Sequence, residues 1–102
     1  MKMIDKAIWQ IDAGVSESAV LRHFETIFLW LDSKGMLTAD GKEDLEFGID
    51  DRISLNDRAI HTLAFDFLES NYDAYLSAVE YGNDEGGKVL ERMYVEYESA
   101  KG

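Results

Sequence analysis

The stretch NDRAIHTLAFDFLESNYDAYLSAVEY, residues 56–81, carries the longest apolar run of helical period in the chain, and after Arg58 it holds no Lys or Arg. Ile60, Leu63, Phe67, Tyr75, Leu76 and Val79 recur at helical steps, with Leu68 and Tyr72 on an adjacent line, which gives one broad stripe for packing. Asn56 is the expected N-cap, because its side-chain oxygen can accept from the free N–H groups of a first turn. Asp57 suits the positive end of the helix dipole. Gly82 is the expected left-handed stop. Ser70 and Asn71 compete for backbone hydrogen bonds, so a bend or break there is the alternative to one continuous helix. The opposite side carries Asp66, Glu69, Asp73 and Glu80. Carboxylates in such a row are ordinarily a solvated face; the sharper reading makes them a docking surface for a basic partner.

Immediately before this stretch, residues 49–55 (IDDRISL) alternate Ile53 and Leu55 with polar residues. The period is strand-like, but the segment is too short to make a stable sheet alone. The expectation is an extended link that tucks two apolar side chains into the core. Thr38 is an N-cap candidate for a short helix over 39–47, in which Leu45 is the main apolar contact and Phe47 stands near the end, before Gly48. Gly41 lowers the intrinsic stability of that helix by roughly 1 kcal/mol relative to Ala. Residues 40–51 hold the acids Asp40, Glu43, Asp44, Glu46, Asp50 and Asp51 against one base, Lys42. Arg52 and Arg58 are expected to pair locally with them, worth at most ~1 kcal/mol each.

Further out, Ser16 reads as the N-cap of a helix over 17–34, with Val20, Leu21, Phe24, Ile27, Phe28 and Leu31 at helical spacing. Leu29 and Trp30 widen its stripe, and Lys34 with Gly35 closes it. Residues 3–12 place Ile4, Ala7, Ile8 and Ile11 along a short amphipathic helix that Gly14 terminates. Trp9 falls off this stripe and reads as a packing residue at an element junction, the alternative being a partly exposed contact. On the far side, 82–87 (GNDEGG) is a turn, and 88–100 is a last helix with Val89, Leu90, Met93, Tyr94 and Tyr97 inward. The chain has no internal repeat, and short connections suit antiparallel neighbours. The expected fold is a single all-α domain, a bundle of four to five helices with little or no sheet.

Composition narrows the function. Acids outnumber bases by 21 to 10, for a net charge of −11. Nucleic acid is a poor partner for such a chain, because phosphates are held by Lys and Arg. An anionic membrane surface is disfavoured for the same reason. No apolar run approaches the ~20 residues of a membrane span. The first fourteen residues carry acids inside their apolar part, unlike a secretory leader. The absence of cysteine removes disulfides and thiolate chemistry, and a cytoplasmic protein is the default. A basic protein, by contrast, would be attracted, and faster at low salt.

Motifs with chemistry fail on inspection. Residues 82–88 (GNDEGGK) match the start of a phosphate-binding loop, but Val89 stands where Ser or Thr should meet magnesium, and Asp84 and Glu85 would repel phosphate. The run TADGKEDLE, residues 38–46, resembles a calcium loop only loosely. With Gly41 at the sixth position, Met36 and Phe47 would fall at ligand positions. His23 and His61 are isolated, lack metal-ligand spacing and read as surface or boundary side chains. No nucleophile elbow is present. The expectation is no metal, no cofactor and no catalysis.

The segment FLWLDSKGMLTADGKEDLEFGID with the later FLESNYDAYL, together spanning about residues 28–76, resembles small acidic bacterial proteins of the immunity type. The likeness lies in size, acidity, helical pattern and paired aromatic and acidic stretches, and it carries no site residue across. It implies a cytoplasmic inhibitor that shields a cell from a toxin. Joined to the charge argument, it points to a non-catalytic inhibitor or adaptor docking on a basic partner such as a nuclease toxin. The candidate surface comprises Asp40, Glu43, Asp44, Glu46, Asp50, Asp51, Asp66, Glu69, Tyr72 and Asp73, with Tyr72, Tyr75 or Trp9 as exposed aromatic anchors. The alternative is a structural or regulatory module that self-associates, for instance as a homodimer. An enzyme built on a Glu25 or Glu69 and histidine pair is a third class. The docking reading depends on carboxylates that the chain's own cations leave unmatched.

Overall fold

The computed structural model describes residues 1–79 and 85–101. The elements are β1 (Met3–Lys6), α1 (Ala7–Asp12), α2 (Glu17–Ser33), α3 (Ala39–Phe47), β2 (Ser54–Asn56), α4 (Thr62–Ala78) and α5 (Gly86–Lys101). The fold is mainly α, with one small two-stranded antiparallel sheet of β1 and β2 among the described residues.

The middle helices form where capping and period agree. Ser16 Oγ accepts from the Ala19 N–H at 3.5 Å and starts α2, and Gly35, at φ 69°, lets the chain turn away after it. Val20, Phe24, Ile27, Phe28 and Leu31 are buried along one side of α2, and each such side chain contributes about 1.5–3 kcal/mol of burial. Helix α2 packs against α1, α3 and α5, so it is the hub of the structure. Trp30 reaches into an aromatic cluster with Phe67 of α4 and Tyr94 of α5, at ring separations of 5.1–5.9 Å. Its indole N–H donates to Glu91, which also pairs with Lys34 at 3.1 Å. Leu29, expected to widen the stripe, faces solvent.

The N-terminal segment departs from the expected helix over 3–12. Its first four residues are β1, and only 7–12 are helical. The cause lies elsewhere in the chain: residues 54–56 offer a strand, and Met3, Asp5 and Lys6 pair with Asn56, Leu55 and Ser54. The link at 49–55 thus ends in a strand; Ile53 and Leu55 are tucked into the core as expected, but Ser54 and Asn56 are buried as well, so the alternation of exposure is not kept. Ile8 and Trp9 face outward, contrary to the stripe and to the junction reading; Lys6 Nζ lies 5.7 Å from the Trp9 ring.

The long central helix starts later than the cap at Asn56 implied. Asn56 belongs to β2, and its Oδ1 accepts from the Arg58 and Ala59 N–H groups, both at 3.0 Å, which closes a turn instead of a helix. The next backbone groups are committed to the 36–38 segment: Thr38 N–H donates to Ala59, His61 N–H donates to Met36, and Leu37 bridges Ile60. A helix can open only at Thr62. From there α4 runs unbroken to Ala78 through Ser70 and Asn71; the Asn71 amide simply donates back to the Phe67 carbonyl at 2.9 Å. The buried face is Ala64, Phe65, Phe67, Leu68, Tyr72 and Tyr75, so the line first placed at the side lies at the centre. Leu63 is 68% exposed. The expected stop at Gly82, the acid Glu80 and the start of the phosphate-loop-like run lie outside the described residues. The end of that run, Gly86 to Lys88, forms the opening turn of α5.

Candidate protein-binding site

Helix α3 is placed by one threonine and one glycine. Thr38 Oγ1 accepts from the Gly41 N–H at 3.2 Å and donates to the Arg58 carbonyl at 2.5 Å, so a single side chain caps α3 and ties it to the β2–α4 connection. Gly41 is buried against Ala59, where a Cβ would overlap the carbonyl oxygen. The helix therefore lies flush on the 58–59 backbone, with its acids directed away from the core. At its other end Gly48, at φ 100°, turns the chain, and Asp50 caps the next turn by accepting from the Arg52 N–H at 3.0 Å.

These elements enclose an acidic cleft. Asp40, Glu43, Asp44 and Phe47 come from α3, Asp50 and Arg52 from the following turn, and Ser54, Asn56 and Arg58 from β2 and its exit; Met1 completes the rim. Asp50 pairs with Arg52 at 2.8 Å, and hydrogen bonding from Arg52 holds its carboxyl below the usual carboxylate range. Asp40 meets Arg58 at 3.6 Å. Glu43, Asp44, Glu46 and Asp51 have no ion-pair partner among the described residues. Asp44 is half-buried, and desolvation, then the charges of Asp40, Glu43 and Asp50, raise its carboxyl above the usual range. An incoming cation would relieve that crowding. Among the described residues no group of three His, Asp or Glu side chains is arranged to hold a metal ion.

The structure divides the sequence-based site. Asp40, Glu43, Asp44 and Asp50 share the cleft, while Glu46 and Asp51 are exposed nearby without lining it. Asp66, Glu69 and Asp73 are exposed on α4, and no described residue of α4 lines the cleft. Tyr72 and Tyr75 are buried and unavailable as anchors, which corrects their assignment to the docking surface. Phe47 is the aromatic that the sequence reading passed over: it is 85% exposed and sits one helical turn beyond Glu43 and Asp44. The signal was present, because positions 40, 43, 44 and 47 fall on one helix face.

His23 also differs from expectation. It is buried, its Nε2 lies 2.8 Å from the Tyr72 hydroxyl, and that hydroxyl donates to Asp5 at 2.5 Å. Burial lowers the imidazole to about 4, against the opposing pull of Asp5. The Glu25 and Glu69 carboxylates considered for a histidine pair are both exposed, and His61 is exposed just before α4. No helix among the described residues is long and apolar enough to cross a membrane. Set against known proteins, the chain matches no family model, no curated protein and no solved structure.

Proposed function

We propose that this protein is a non-catalytic inhibitor or adaptor of the immunity type, which docks the α3 face on the basic cleft of a partner such as a nuclease toxin. The observation that carries the reading is Phe47, an almost fully exposed aromatic standing beside carboxylates that the chain's own cations leave unmatched. A large apolar side chain held in water costs free energy that a partner's pocket recovers, and such anchors dominate interface energy. The acids around it speed encounter with a basic surface. Glu46, on the same helix, extends this field at the rim.

The test is association kinetics with a basic partner captured at low salt. Charge reversal of Glu43, Asp44 and Glu46 together lowers the association rate about tenfold or more and flattens its salt dependence. Phe47→Ala instead raises the dissociation rate, since truncating an anchor acts after encounter. Rates unchanged in both variants refute this surface. A second reading, self-association, draws support from Leu63 and Val95, which are exposed on other faces. Light scattering across concentration separates the two, because the docking reading requires a monomer with the α3 face open.

A further inference from the structure

The N-terminal strand is held in an unusual way. Of its four residues only Asp5 is buried, at 2% exposure, while Met3, Ile4 and Lys6 are half-buried. Ile4 packs against the edge of the core, but the one side chain of the strand that is fully enclosed is a carboxylate. That carboxylate accepts from the Tyr72 hydroxyl of α4 at 2.5 Å, from the Gln10 amide of α1 at 3.0 Å and from the Lys6 N–H at 2.8 Å. With the phenol proton directed at Asp5, the Tyr72 oxygen accepts from His23 Nε2–H of α2, at 2.8 Å. Across the ladder Asp5 faces Leu55, and the neighbouring Ile53, Ser54 and Asn56 line the acidic cleft together with Met1.

We propose that the buried Asp5–Tyr72–His23 chain is an acid-sensitive latch: proton uptake frees β1 from β2 and removes the Met1 wall of the acidic cleft. The consequence for the cleft rests on the docking reading; the latch itself stands on the hydrogen bonds. In the closed state the ring is neutral, because burial lowers it from 6.5 to about 4. Among the described residues, the groups facing it include Asp5 from β1 and the phenols Tyr72 and Tyr75 from α4, whose rings lie 6.0 and 5.8 Å away. Helix α1 brings the uncharged Gln10 amide to Asp5, and α5 approaches through Gly86 beside the Tyr75 hydroxyl. Among the described residues, Asp5 is the charge that acts on the ring. Displacing β1 takes away that side of its enclosure and lets water reach the imidazole, which moves it back toward the ordinary 6.5. The open form therefore binds a proton that the closed form refuses. The contribution of the neutral ring is whole above pH 6.5 and is lost as pH falls to about 4.

Residue-resolved amide exchange on the full chain tests this without any partner. The reporters are the Ala7 N–H, which donates to Ile53, and the Asp57 N–H, which donates to Lys2; both join the N-terminal segment to the residues that flank β2 on either side. Their protection is expected to fall roughly a hundredfold between pH 6.5 and 4, while amides inside α2 and α4 stay protected. His23→Gln keeps an N–H donor without titrating, and confines that fall to about threefold or less. Loss of β1 and helix protection together in wild type would mean global acid unfolding and overturn the proposal, as would an undiminished fall in a folded H23Q. Failure of the charge-reversal test on α3 would leave these outcomes unaffected, so the two readings fail separately.

Discussion

Replacing Gly41 by Ala sets helix propensity against space. Taken as an isolated helix position, Gly41→Ala should stabilise α3 by about 1 kcal/mol. In the folded protein the new Cβ would overlap the Ala59 carbonyl oxygen and lie 3.0 Å from both the Ala59 carbonyl carbon and Leu37 Cδ2. The obstacle is backbone, so no rotamer change relieves it. Overpacking of this kind costs about 1–3 kcal/mol. The oxygen that must move also accepts the Thr38 N–H at 3.0 Å, and weakening that bond costs about 1 kcal/mol more. Against the propensity gain, the net effect is a loss of about 2 kcal/mol, or roughly 10 °C in Tm for a domain of this size. Urea denaturation followed by far-UV circular dichroism measures it, and an unchanged m-value would show that the loss is in the native state. Gly87→Ala is the control: nothing lies within 4 Å of its added Cβ, so it leaves stability equal or raises it by at most ~1 kcal/mol. A G41A protein as stable as wild type, or more so, would refute the close docking of α3 on the 58–59 backbone.

Tyr72→Phe removes the hydroxyl between Asp5 and His23 and leaves a buried carboxylate short of one donor. It is expected to cost about 3 kcal/mol in chemical denaturation, and a loss below about 1 kcal/mol would show that the network carries little stability. Leu63→Ala, at a position the helical period assigned to the core, should change stability by less than about 0.5 kcal/mol because the side chain faces water. Phe67→Ala, fully buried in the aromatic cluster, should cost about 3–5 kcal/mol, and similar losses for the two would overturn the observed face of α4.

Local chemistry determined what a few neighbouring residues can settle among themselves. Ser16 and Thr38 start α2 and α3 because a cap hydrogen bond spans three residues. Gly35 and Gly48 follow the ends of those helices at positive φ. The mainly helical class and the concentration of acids in 40–51 follow likewise from period and composition. Tertiary structure decided every feature that needs a distant partner. Residues 3–6 are a strand because residues 54–56, about fifty positions away, supply the ladder. Asn56 closes a turn because the backbone after it is bound to residues 36–38. The face of α4 was set by Tyr72 reaching Asp5 and His23, two polar groups that period alone assigns to the surface. Tyr72, expected both on the packing stripe and as a docking anchor, is buried, while Phe47 at the end of α3 stands in solvent, for the same reason. Apolar period records which side chains prefer burial, but the amount of core available to receive them is a property of the assembled elements.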